Sequence, residues 1–99
     1  MATSSSFSRY EKSAVLLRAL AHPIRLAVVE LLFRAGEMEV RAMQAQLGLD
    51  QAVLAHHLKI LRNQRIVSIH RHELDTHYAL CHTDFHLLIA MTERAPDMS

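Results

Sequence analysis

LGLDQAVLAHHLKILR, residues Leu47–Arg62, is the stretch whose reading decides the fold. Gly48-Leu49-Asp50 has the composition of a tight turn between helices. Gly48 suits the end of one helix, and the Asp50 carboxylate can accept from the free amides that open the next. The helix that follows, Gln51–Asn63, separates its faces: Leu54, Leu58 and Leu61 fall on one side, and Ala52, Ala55, His56, Lys59, Arg62 and Asn63 on the other. Before the turn, Val40, Met43 and Leu47 mark one face of a brief helix. Two helices joined by three residues that include glycine make a helix-turn-helix.

Toward the N-terminus, Tyr10–Ala21 carries Ala14, Leu17 and Leu20 at helical spacing and stops at His22-Pro23, because proline disfavours helix in the residue before it. Pro23 suits a first helical turn, and Ile24, Ala27, Val28 and Leu31 follow in a second helix that Gly36 ends. Glu37–Val40 reads as a short extended connection. Toward the C-terminus, Ile66–His70 and Thr76–Leu80 are rich in β-branched and aromatic residues and read as a hairpin. The linker Arg71–Asp75 lacks glycine, which predicts a turn looser than the two-residue type. Thr83 is placed to cap a last helix over Asp84–Arg94, which Ala95-Pro96 ends. The expected architecture is mainly α (α+β): a winged helix-turn-helix with about five helices and a two-stranded wing. Residues 10–95 form the domain, between a disordered tail at 1–9 and a short tail at 96–99.

A net charge of +1 hides an uneven distribution. Gln51–His72 holds no acid and carries Lys59, Arg62, Arg65 and Arg71, which leaves the rest of the chain at −3. A basic stripe on an acidic body is the electrostatic footprint of a phosphate-binding surface. Gln51, Ala52, Ala55, His56 and Lys59 are expected to face base edges or the groove wall, and His56 and His57 to serve DNA contact and helix packing. Arg62 and Arg65 lean to phosphates, and Arg71 and His72 act from the wing.

Other classes find little support. The chain has no Gly-rich phosphate loop, nucleophile motif or HExxH spacing, so an enzyme is not expected. One cysteine, Cys81, cannot form an intrachain disulfide. No apolar run approaches the roughly 20 residues a bilayer needs, and a cytoplasmic location is expected. A chain of 99 residues buries a modest core, and its first and last helices hold more apolar side chains than that core requires. Val15, Leu16, Leu87 and Met91 lie off the main stripes, a surplus that suggests a homodimer seam between these helices, with Val15 and Leu16 on the first and Phe85, Leu88, Ile89 and Thr92 on the last as its candidate residues.

The strings LRALAHPIRLAVVELL (Leu17–Leu32), LGLDQAVLAHHLKILR and IVSIHRHELDTHYAL (Ile66–Leu80) together resemble the ArsR/SmtB family of bacterial winged-helix repressors over roughly Tyr10–Arg94. The resemblance implies a homodimer joined through its first and last helices. It would set two recognition helices in successive major grooves of near-palindromic operator DNA, about 34 to 36 Å apart. It also implies an inducer, often a metal ion or arsenite.

The family's inducer sites are altered here. Where the family carries a Cys-Val-Cys string, this chain reads Glu39-Val40-Arg41, without the convergent sulfur that arsenite requires. The family's last-helix site pairs an Asp-x-His with two ligands further on. Asp84-Phe85-His86 matches the first half, but the second half reduces to Asp97 beyond Pro96. Asp84, His86 and His82 are the remaining candidates for Zn, Ni or Co at this degraded site. The alternative is a repressor that has lost its metal site and answers to a regulatory partner protein or a non-metal effector; Cys81 is a slender pointer to redox control.

Overall fold

A histidine starts the helix on which the rest of the fold is assembled. His22 is extended and its Nδ1 accepts from the Ile24 amide at 3.0 Å, while Pro23 fills the first helical position, where no amide partner is needed. The computed structural model describes residues 3–96. Its helices are α1 (Thr3–Ser8), α2 (Glu11–Leu20), α3 (Pro23–Ala35), α4 (Val40–Leu47), α5 (Gln51–Asn63) and α6 (Phe85–Glu93). Its strands are β1 (Glu37–Glu39), β2 (Val67–His72) and β3 (Asp75–Leu80).

The core lies where α2, α3, α4, α5 and α6 meet one another and the sheet. Val28, Val29 and Leu32 of α3, Met43 of α4, Leu54, Leu58 and Leu61 of α5, and Ile66 and Val67 are fully or almost fully buried. The leucines of α5 face inward as their spacing predicts. In α3 the buried stripe is rotated from the expected one: Val29 and Leu32 are inside, Ala27 is exposed, and Ile24 and Leu31 are half-buried. A largely apolar helix has several acceptable stripes, and the packing of neighbours selects one. In α2 Leu20 is buried as its spacing predicts, but Leu17 turns outward and Ala19 is buried in its place.

The sheet has three strands rather than two, in the order β1-β3-β2, all antiparallel. The connection after Gly36 supplies β1, whose Met38 lies opposite Tyr78. The wing turn is also tighter than expected. His72 pairs with Asp75, so Glu73 and Leu74 form a two-residue turn, with Glu73 in the left-handed region at φ 54°. A full six-residue ladder between β2 and β3 holds that non-glycine conformation in place.

Three other expectations are corrected. Thr3–Ser8 is helical rather than a loose tail; Phe7 stays exposed, so α1 continues toward α2 through the Tyr10 amide bond to the Phe7 carbonyl rather than by docking an apolar side chain. Asp50 takes the extended cap conformation, but its carboxylate makes no capping bond. The last helix starts after Asp84, through turn bonds from Phe85 to His82 and from His86 to Thr83 that use backbone carbonyls rather than the Thr83 hydroxyl. Met1, Ala2 and residues 97–99 lie outside the described residues, Asp97 among them.

Candidate nucleic-acid interface

Gly48 adopts φ 65°, ψ 38° and its amide bonds to the Gln44 carbonyl, which ends α4 and turns the chain through Leu49 and Asp50 into α5. α5 is seated by its three leucines and braced by a histidine. His57 is buried, and its Nδ1 accepts from Arg25 Nη1 at 3.1 Å, while the Arg25 Nε donates to the Ala19 carbonyl. The His57 ring also packs against His22 at 4.4 Å and His56 at 5.1 Å. Burial first, then the charges of His22, Arg25 and His56, lower its pKa below the ordinary histidine value. His57 is therefore a packing residue of the inner face, which corrects its place among the predicted DNA contacts: its side chain points at α3, away from the exposed surface.

The remaining expected residues of α5 share one exposed face: Gln51, Ala52, Ala55, His56, Lys59, Arg62 and Asn63. Between this face and the sheet runs an open groove of about 430 Å³, lined among others by Val40, Gln51, Lys59, Arg62 and Tyr78. Strand alternation puts Arg71 on the sheet face that carries Tyr78 and Ile69, so the wing extends the groove. Arg65 begins the return into β2 with φ 57° and an exposed side chain. Among the described residues, Lys59, Arg62, Arg65 and Arg71 make no side-chain hydrogen bond or ion pair. Cations left without acidic partners keep their full attraction for an external anion.

His72 stands apart from that set. Its Nε2 lies 2.9 Å from Glu37 Oε1 and its ring meets His77 edge-on at 4.8 Å. The wing tip is thus tied to β1 through His72.

The predicted last-helix metal residues do not converge. His86 stacks on Phe33 with centroids 3.9 Å apart and planes within 6°, fastening α6 to α3. His82 and Asp84 are exposed in the turn before α6, and Asp84, His82 and His86 form no three-donor cluster among the described residues. The family's inducer site does not fit these side chains within the chain. Of the proposed seam, Ile89 is buried in the subunit's own core and Phe85, Leu88 and Leu16 pack against it, while Val15 and Thr92 are exposed. The exposed apolar surface of α2 and α6 consists of Val15 with Leu17, Leu87 and Met91, the last three 50 to 59% exposed, and Leu17 and Met91 lie beside an apolar depression. Spacing alone places Val15, Leu87 and Met91 off the core stripe but puts Leu17 on it, and only the packed structure shows that Leu17 is uncovered as well. Cys81 is exposed.

A helix-turn-helix followed at once by an antiparallel hairpin defines a winged helix-turn-helix protein. Residues 22–68 match the family described as bacterial regulatory protein, arsR family. An uncharacterized HTH-type transcriptional regulator from Methanocaldococcus jannaschii is 37% identical over 59 residues, covering 60% of this chain and 66% of its own. The biofilm growth-associated repressor of Xylella fastidiosa is 36% identical over 72 residues, covering 73% and 62%. This chain thus spans somewhat under two thirds of these relatives' length. The crystal structure of NolR from Sinorhizobium fredii superposes with a TM-score of 0.78 at 32% identity, over 90% of this chain and 89% of that one. The chain belongs to the arsR family of bacterial regulators.

Proposed function

We propose that this protein is a transcriptional repressor that binds a near-palindromic operator as a homodimer in the cytoplasm, with α5 of each subunit in a major groove. The carrying observation is the exposed face of α5. Ala52 and Ala55 allow close approach, Gln51 and His56 offer hydrogen-bonding groups to base edges, and Lys59 is an unpaired cation beside them. Arg62, Arg65 and Arg71 contact phosphates, the last from the wing, while His72 braces the wing from the far side of the sheet. Leu17, Leu87 and Met91 supply the uncovered apolar surface for a two-fold seam between α2 and α6. The role is binding rather than catalysis.

A footprint tests this reading. Two protected major-groove segments, one helical turn or about 34 to 36 Å apart and related by a dyad, are expected. Protection of a single segment, or uniform protection along the fragment, would overturn it.

The stacking of His86 on Phe33, with Glu39-Val40-Arg41 in place of thiolates, favours a second reading of control: a partner protein or non-metal effector acts in place of a metal at the last helix. Replacing Asp84 and His86 by Asn and Gln should then leave DNA binding as it is in the unaltered protein, with or without Zn, Ni or Co. A metal-induced release that disappears in this variant would restore the last-helix site.

A further inference from the structure

The sheet face turned away from the α5 groove carries an unusual set of side chains. Alternation places Glu37 and Glu39 of β1, His77 of β3, and His70 and His72 of β2 on this one face. Within it, donor atoms of Glu37, His72 and His77 all lie within 4.8 Å of one another, and His72 Nε2 and Glu37 Oε1 are 2.9 Å apart. Bonds of about 2.0 to 2.1 Å at tetrahedral angles would set such donors roughly 3.4 Å apart, inside that span. Glu37 and His72 are exposed, so their side chains are free to rotate toward a shared ion.

His77 gives the second observation. Its Nδ1 is shielded from solvent and has no hydrogen-bond partner. Sheltered imidazole nitrogens are paired as a rule, and an exception calls for an ion or a water in the space beside it. The exposed pair of Glu37 with His72 would account for those two residues as a surface contact, but it leaves His77 unexplained. Glu39 lies opposite His77 in the ladder and adds a second carboxylate to the same face.

The geometry points to a divalent transition-metal site at the root of the wing, held by Glu37, His72 and His77. Two imidazoles and one carboxylate without a thiolate suit zinc and its neighbours nickel and cobalt over calcium or magnesium, and three protein ligands leave a position open. The site is distinct from the degraded last-helix one and does not depend on the DNA-binding reading. The ion joins β1 to the far end of β2, so it fixes the wing to the body of the domain.

Cobalt(II) is the probe, because its visible ligand-field bands report coordination directly. The full chain should bind one equivalent with saturating bands that zinc displaces. Glu37→Gln combined with His77→Gln should abolish the bands, whereas His82→Gln combined with His86→Gln should leave them intact. In the unaltered protein, cobalt should broaden the ring proton resonances of His72 and His77 first, a readout that needs no variant to fold. Bands that survive the first pair of substitutions or vanish with the second would overturn the site. So would broadening spread evenly over the eight histidines, the mark of adventitious binding.

Discussion

Arg25 donates a hydrogen bond to Nδ1 of His57 across 3.1 Å, linking the first turns of α3 to the buried side of α5. A guanidinium only donates, so His57 accepts at Nδ1 and carries its proton on Nε2 as a neutral ring. The same guanidinium reaches the Ala19 and Arg18 carbonyls at the end of α2. One side chain thus sets α2, α3 and α5 relative to one another, and with them the tilt of the exposed face.

That arrangement makes stability sensitive to acid. The folded pKa of His57 is lowered, so below the ordinary value of 6.5 the unfolded chain binds a proton that the folded chain refuses. The contribution is fully present above 6.5 and is lost as pH falls toward the lowered folded value. Urea unfolding between about pH 7 and about pH 5 should show a steeper fall for the unaltered protein than for His57→Gln. Equal slopes would separate His57 from the effect.

Binding to DNA should divide the exposed residues by role. Lys59→Ala and Arg71→Ala should each weaken binding to all sequences and lower the slope of log K against log salt by about 1. His56→Ala should change sequence preference with the salt slope intact. Competition titrations at several salt concentrations separate the two patterns.

The helix-turn-helix was legible in the sequence because Gly48, Asp50 and the leucines at 54, 58 and 61 signal turn and face independently, and the structure keeps each position. The arsR resemblance found there is borne out by the match over residues 22–68. What was not legible depended on long-range pairing. Glu37–Val40 reads as extended, but Glu37–Glu39 becomes a third strand only because β3 lies beside it. The two-residue turn at Glu73-Leu74 follows from the ladder behind it, not from turn residues. His57 looked like its neighbour His56, since a 13-residue helix gives no sign of where Arg25 sits; His72 and His77 meet Glu37 only through the third strand.

The seam between α2 and α6 predicts a dimer that a pair of introduced charges can break. Leu17→Glu with Met91→Glu should convert a sedimenting dimer to a folded monomer, because both side chains are exposed in the subunit. Operator affinity should fall roughly 100-fold or more as the two half-sites lose their linkage. A variant that remains dimeric would move the interface elsewhere.

Gly48 holds a left-handed conformation with open space around the position a Cβ would take. Gly48→Ala should therefore cost about 1 kcal/mol through backbone strain rather than collision. Gly48→Asn should cost less. Thermal unfolding followed by circular dichroism measures both, and an alanine variant as stable as the original would argue against the turn geometry.

The central claim, that the exposed face of α5 reads operator DNA, is tested most directly by fluorescence anisotropy. The labelled fragment comes from immediately upstream of the protein's own coding sequence, and a shuffled fragment of equal composition serves as control. The account predicts binding to the upstream fragment on the order of 1000-fold tighter than to the shuffled one at physiological salt, with the preference lost when Gln51, His56 and Lys59 are all replaced by alanine. Equal affinity for the two fragments, or a preference that survives the triple substitution, would contradict it.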